Sequence, residues 1–271
     1  MTATLETYKT ETATLAVAGT RIQVRTQPSA GAARPLVLVH GTGGGSGMWD
    51  PLLGGFSDRG PVVLPDLSGS DTAEDDGGPL TLDLLAAQVV AAIEATRGPV
   101  DLLGFSLGAA VAAAAAAARP DLVENLVLVS GWASPDDEYI RNMMTVWRDL
   151  ADKPETFGRF ATFTAFSRDH LNRIGREAVE QATAFMRPTP PTLRQIDFNL
   201  TFDARAHLRD ITARTLVVGG AQDATIPVGN QHDMHKAIPG SRYAEFDTGH
   251  IVVYERMAEF TRLVREFLDG E

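Results

Sequence analysis

The sequence predicts an α/β fold, a doubly wound and mostly parallel sheet interrupted by a helical cap insertion. Three observations point there. Residues 36–39, 62–64, 100–103, 126–129 and 216–218 are short, continuous apolar runs. Such runs mark parallel strands covered on both faces, because a solvated face would impose a polar residue at every second position. Helical patterns separate these runs, and strand–helix alternation builds parallel sheets with right-handed crossovers. Over 132–213 the alternation stops, and that tract offers helical patterns but no good strand.

Taken in order, residues 12–18 and 21–26 alternate in polarity around Gly19-Thr20 and predict an N-terminal hairpin, followed by a loop over 27–34. After the second apolar run, Thr81 is placed to cap a helix reaching Ala95. Leu82, Leu85, Ala86, Val89 and Ile93 recur on one stripe, and Gly98-Pro99 stops it. The small residues of 109–118 predict a helix behind the third run. Beyond the insertion, Pro227 starts a helix that ends before Pro239, residues 242–246 form a last strand, and 254–268 carry an amphipathic helix. Within the insertion, 136–150, 155–166 and 174–186 read as helical. The expected organisation is a core of 1–131 and 214–271 with a cap of 132–213. Trp132, Met143, Met144, Trp147, Phe157, Phe160, Phe163, Phe166, Phe185 and Met186 are expected to fill mainly the cap's own core, with a few facing a pocket below. No internal repeat is visible, and the acidic run 71–76 reads as a solvated loop.

A chain of 271 residues, 44% hydrophobic and 22% charged, can bury a large core and suits one domain with an insertion. Its net charge of −11, with no basic stripe to overturn it locally, repels phosphate backbones and argues against a nucleic-acid partner. The absence of cysteine removes disulfides, thiolate metal ligands and cysteine nucleophiles. Residues 1–20 lack the basic start and apolar core of a signal peptide. The small-residue tract 109–118 is far shorter than the roughly 20 residues of a membrane span. A cytoplasmic protein with no membrane span is expected, acting on a small molecule, and the composition is compatible with a homo-oligomer.

The chemistry starts from Gly104-Phe105-Ser106-Leu107-Gly108, between an apolar run and a helix of small residues. A serine on a strand-to-helix hairpin has a strained backbone, and the close approach of strand and helix requires small neighbours. Its hydroxyl is then exposed at a helix N-terminus, where backbone N–H groups favour negative charge on a carbonyl oxygen. A serine nucleophile needs a base, and that base needs an orienting group. Of the six histidines, His250 in Asp247-Thr248-Gly249-His250-Ile251 follows the last strand and is the best-placed base. His232 and His235 on a surface helix, and His170 and His207 in or beside the insertion, are expected to be structural or neutral. Asp223 follows the strand 216–218 at the same sheet edge and can accept the second imidazole N–H. Asp247 is a rival better suited to a turn, and Asp136 and Asp137 are weaker rivals. His40-Gly41-Thr42-Gly43-Gly44-Gly45 opens after the strand 36–39, and its backbone N–H groups can approach a substrate closely. The loop lacks the Lys-Ser/Thr ending of a phosphate loop and fits the dinucleotide fingerprint poorly, which argues against a nucleotide cofactor.

These residues together resemble the α/β-hydrolase family. The resemblance runs over nearly the whole chain, through the His40-Gly41 loop, Asp66-Leu67-Ser68-Gly69, the Ser106 turn, the Asp223 loop and Gly249-His250, in the order Ser, Asp, His. It implies Ser106 as nucleophile, His250 as base, Asp223 as acid, and the backbone N–H groups of Thr42 and Leu107 as an oxyanion hole, with His40 shaping its loop without transferring protons. Where many relatives have Gly-x-Gly after the aspartate, this chain reads Ser68-Gly69-Ser70-Asp71, which alters loop shape but removes no catalytic group. A serine at 106 argues against dehalogenation and epoxide opening, chemistries for which relatives carry aspartate there. The implied function is a serine hydrolase without cofactor or metal. It would cleave a carboxylic ester, lactone or thioester bearing an apolar or bulky group through an acyl-enzyme. The alternative of another class is a small-molecule receptor, or a pathway protein for binding, cyclisation or acyl transfer, that retains the triad. Carbon–carbon bond hydrolysis and perhydrolysis draw on the same residues.

Overall fold

In a computed structural model, residues 8–270 are described; residues 1–7, on which the expectation of no signal peptide partly rests, lie outside them. The chain opens with β1 (Glu11–Val17) and β2 (Thr20–Gln27), antiparallel around a tight turn in which Ala18 and Gly19 have φ of 48° and 83°. Positive φ at both turn positions gives the twist that antiparallel neighbours need. Next come β3 (Leu36–Val39), a 3₁₀ segment (Ser46–Gly55), β4 (Val62–Asp66), α1 (Leu82–Glu94), β5 (Val100–Phe105), α2 (Leu107–Ala118) and β6 (Val123–Val129). Five helices then precede β7 (Arg214–Gly220): α3 (Glu138–Asp149), α4 (Pro154–Ala165), α5 (Arg168–Phe185), α6 (Pro190–Asn199) and α7 (Arg205–Leu208). The chain closes with α8 (Gly229–Ala237), β8 (Arg242–Phe246), α9 (Val252–Glu255) and α10 (Met257–Asp269).

The described strands form one sheet in the order β1-β2-β4-β3-β5-β6-β7-β8. Pairing is antiparallel for β1–β2 and β2–β4 and parallel from β4 onward, the mostly parallel α/β architecture expected from the apolar runs. The reason those runs do not alternate is visible in β3. Val37 and Val39 join the core that holds α1 and α2, whereas Leu36 and Leu38 join the core beneath the 3₁₀ segment, α9 and α10. Successive side chains serve opposite faces, and both faces are dry.

The β5–α2 connection explains the small residues around Ser106. A Cβ on Gly104 would lie 2.1 Å from the Gly108 carbonyl oxygen, and one on Gly108 would lie 2.5 Å from that of Val39. Strand and helix backbones therefore touch. Every residue from Leu107 to Ala116 is buried, so alanine serves here as a thin side chain that lets α2 lie close against the sheet.

Several boundaries differ from the sequence expectation. Helix α2 begins at Leu107, two positions before the alanine tract, because the turn itself supplies the first helical residues. The C-terminal helix is two pieces, α9 and α10, separated at Arg256, whose φ of −131° is non-helical. Helix α5 starts at Arg168, six residues before position 174, with Ser167 accepting the N–H of His170, and breaks at Gly175, where φ is 78°. Helices α6 and α7 were not expected. Pro190-Pro191 occupies the first turn of α6, where no N–H is needed, behind a Thr189 cap. Side chains of α3, α4 and α6 share one hydrophobic cluster with α1 and α2, so this helical tract is packed as part of the main core. Phe163 and Phe185, by contrast, are each 67% exposed.

Candidate active site

Ser106 stands between the end of β5 and the start of α2 with φ 56° and ψ −121°. A non-glycine residue in this region costs on the order of 1–3 kcal/mol and persists only where the surroundings enforce it. The enforcement here is hydrogen bonding on both sides: Ser106 donates its N–H to Val129 at 2.8 Å and accepts from the Ala109 N–H at 2.9 Å.

His250 follows β8, and its carbonyl accepts the Ser130 hydroxyl at 2.8 Å. The Phe105 ring lies 5.1 Å from the imidazole, centroid to centroid. Asp223 comes from the loop after β7. Its Oδ1 accepts the Thr225 and Ile226 N–H groups at 2.8 and 2.7 Å, which turns Oδ2 toward His250. The contact from Oδ2 to Nδ1 is 2.7 Å, and Nε2 stands 2.9 Å from Ser106 Oγ. A carboxylate only accepts, so Nδ1 carries the proton and Nε2 is left to receive the serine's. All three residues are buried, with exposures of 5% for Ser106 and His250 and 7% for Asp223.

The rival acids lie elsewhere. Asp247 is exposed and accepts from Gln222, Asp137 caps α3, and Asp136 pairs with Arg205. His232 and His235 on α8 contact Glu245 and Ser241, and His170 stacks on Phe166. His207 lies in α7.

The loop after β3 reaches the same point. A Cβ on Gly41 would lie 3.1 Å from Ser106 Cβ, so Gly41-Thr42 runs directly over the serine, while Leu107 follows it as the first residue of α2. His40 is fully buried, donates Nδ1–H to the Gly41 carbonyl at 2.8 Å and accepts the Leu67 N–H on Nε2 at 3.1 Å. Burial pushes its pKa down, against the opposing effects of the Gly41 carbonyl and the Asp66 charge, so the ring is a neutral pin.

Sequence reasoning missed what holds this loop from above. On α6, buried Gln195 accepts the Gly43 N–H at 2.7 Å, and buried Asn199 donates to Thr42 Oγ at 2.9 Å. Their i, i+4 spacing places both amides on one helix face. Arg194 then ties α6 to Asp75 at 2.8 Å. Burial raises the Asp75 pKa, but the hydrogen bonds from Arg194 and the Gly77 N–H outweigh it, and the net direction is down. The run 71–76 is thus not wholly solvated, since the Asp75 side chain is only 7% exposed. The findable signal was Thr189-Pro190-Pro191, a cap followed by proline in a first turn.

A second tie links the His250 loop to the α4–α5 junction. Buried Glu255 accepts the Ser167 and Gly249 N–H groups on Oε1, at 2.7 and 3.1 Å, and the Ser167 hydroxyl on Oε2. A chamber of about 70 Å³ is lined by Ser106 and His250 together with Met144, Trp147, Thr164 and Thr225, and an adjoining apolar groove of about 460 Å³, which shares Thr42, Phe105 and Met186 with it, runs past Met48, Pro51, Phe185 and Tyr254. Among the described residues no three His, Asp or Glu side chains gather as a metal-binding set, and no helix is long and apolar enough to cross a membrane.

The chain is similar to known proteins over most of its length. The model of the alpha/beta hydrolase family matches residues 36–263. Pyrrolizixenacetamide deacetylase of Xenorhabdus hominickii is 38% identical over 87% of this chain and 91% of its own. Among solved structures, the enol-lactonase of Burkholderia xenovorans LB400 superposes with a TM-score of 0.82 at 23% identity, over 95% of this chain and all of that one. The esterase EaEST of Exiguobacterium antarcticum has the same TM-score, 0.82, at 20% identity, over 95% of this chain and 99% of its own. At these identities the two structures speak for the fold alone.

Proposed function

The chain belongs to the alpha/beta hydrolase family, and from that premise we propose that it is a cofactor-free serine hydrolase of carboxylic esters, lactones or thioesters. One observation carries the reading: Ser106 Oγ, His250 and Asp223 form a continuous relay with contacts of 2.9 and 2.7 Å, beside a loop of backbone N–H groups.

Ser106 Oγ bonds to the substrate carbonyl carbon while its proton passes to His250 Nε2. The Asp223 carboxylate stabilises the imidazolium and holds its orientation. The carbonyl oxygen gains a negative charge and is received by the N–H groups of Thr42 and Leu107, at the positive end of α2. When the bond to the leaving oxygen or sulfur breaks, His250 returns the proton to that atom. Water then attacks the acyl carbon while giving a proton to His250 Nε2, the ester bond to Ser106 breaks as Oγ takes that proton back, and the carboxylic acid departs. The region 132–213 acts as a cap, covering the relay and lining the route to it. The name of the deacetylase relative adds acetamides to the acyl donors to be assayed.

The test is labelling with a fluorophosphonate. The folded protein should form one adduct, on Ser106, and Ser106→Ala should form none. Mass spectrometry that finds folded, unlabelled protein after prolonged exposure sinks the proposal.

A further inference from the structure

We propose that Glu255 is a positioning residue for His250, and that through it the α4–α5 junction holds the base in line with Ser106. This deepens the hydrolase reading and rests on it. The backbone around His250 is fixed at three points. One bond leads to the end of β6: the His250 carbonyl accepts the Ser130 hydroxyl at 2.8 Å. The other two lead toward the helical tract. The Ile251 N–H donates to the Ala165 carbonyl at 3.2 Å, and the Gly249 N–H donates to Glu255 Oε1 at 3.1 Å. The same Oε1 accepts the Ser167 N–H at 2.7 Å, and Oε2 accepts the Ser167 hydroxyl at 2.5 Å. Residues on both sides of the base are therefore bonded to 165–167, directly or through one carboxyl group.

The glycine at 249 is explained by this contact. Its φ is not positive, so its own backbone does not demand glycine. A Cβ there, however, would lie 2.6 Å from the Ser167 nitrogen and 2.7 Å from the Phe166 carbonyl carbon. The junction backbone rests directly on the residue before the base. Buried N–H groups at such a contact need an acceptor, and Glu255, itself buried, serves one from each side. Its carboxyl can reach back because α9 (Val252–Glu255) turns the chain at once after Ile251, whose carbonyl accepts the Glu255 N–H at 3.1 Å. With the peptide groups flanking His250 held, the imidazole swings only about its side-chain bonds, and Asp223 settles those at 2.7 Å. A shift of about 1 Å between reacting groups can cost about 10²-fold in rate. Seating of the junction on the core and alignment of the base are in this way one event.

Kinetics on the intact protein test this, with p-nitrophenyl acetate as substrate and the rate of fluorophosphonate labelling at Ser106 as a second measure. Glu255→Ala strands the Gly249 and Ser167 N–H groups. Its kcat and labelling rate should fall about ten- to a hundredfold, with KM changed by less than about twofold. Glu255→Gln keeps an oxygen for both N–H groups and should recover most of that loss. Ser167→Ala removes only the hydroxyl and should cost about threefold, and adding it to Glu255→Ala should cost nothing further. Arg159→Ala cuts the exposed Arg159–Glu180 pair between α4 and α5 and should leave kcat unchanged, which separates the tie from general loosening of these helices. If Glu255→Ala does not fold, Ser167→Ala and Arg159→Ala decide; if the acetate is not turned over, the labelling rates decide. Wild-type rates in folded Glu255→Ala or in Ser167→Ala, a loss confined to KM, a glutamine variant as slow as the alanine one, or an equal loss in Arg159→Ala overturns the positioning role. Wild-type protein that takes no phosphonate removes the hydrolase reading, and this inference with it.

Discussion

The Ser106–His250–Asp223 relay and the loop of residues 40–45 meet at one point, yet they are held by different parts of the chain. Each member of the relay hangs from the end of a strand, and its fixing bonds come from the sheet and its connections: Val129 for Ser106, Ser130 for His250, Thr225 and Ile226 for Asp223. The loop also leaves a strand, but Gly43 and Thr42 are secured by Gln195 and Asn199, 152 and 157 residues further on. Thus Ser106 and Asp223 are fixed by the sheet and its connections, the His250 segment has in addition the Glu255 tie to the α4–α5 junction, and the Thr42 side of the proposed oxyanion hole is positioned by a helix laid over the sheet. Perturbing the two regions should have different kinetic signatures.

The largest effect is expected at the nucleophile. Ser106→Ala should lower turnover by at least about 10³-fold while circular dichroism and melting remain close to wild type. Asp223→Asn keeps the shape but withdraws the carboxylate that orients and stabilises the imidazolium, and a loss of about 10²–10³-fold in kcat is expected, together with a changed pH–rate profile. Next come the α6 amides. Asn199→Ala and Gln195→Ala each remove one neutral hydrogen bond to the loop, so kcat should fall about tenfold, with KM and the pH–rate profile little changed. A shift of the pH profile in Asn199→Ala, or a loss equal to that of Ser106→Ala, would break the distinction between relay and loop. Unchanged kcat in both amide variants would show that the loop holds its shape without α6.

The smallest effect is on stability and comes through His40. Its pKa is lowered in the folded state by burial, from the ordinary 6.5. Above that value both states are neutral and no pH dependence arises. As pH falls below it, the unfolded chain takes up a proton that the folded chain refuses, so stability declines until the folded pKa is reached. Melting temperatures recorded from about pH 8 down to about pH 5 should therefore fall more steeply for wild type than for His40→Gln. The variant keeps a residual slope from His170, which burial also lowers. Parallel curves would show that His40 is not a neutral pin.

The sheet could be anticipated because its signals are local. The unbroken apolar run Leu36–Val39 and the Thr81 cap of α1 each lie within a few residues. Ser106, His250 and Asp223 could be named for a related reason. Parallel strands bring their carboxyl ends to one edge, so a serine after β5, an aspartate after β7 and a histidine after β8 are placed together by topology. Helices α6 and α7 escaped notice because proline-rich composition hid the first, and the second spans only Arg205–Leu208.

By itself, the sequence determined the α/β class, the order of the strands along the chain and the chemistry-bearing residues at their ends, since periodicity and short motifs encode what neighbours in the chain do. Only the tertiary structure decided that Asp247 stays apart from His250, that α6 secures the loop over Ser106, and that a small chamber at Ser106 adjoins a larger apolar groove. Those features depend on side chains far apart in sequence filling one volume and satisfying one another's hydrogen bonds. No local pattern records which distant partner a buried amide will find.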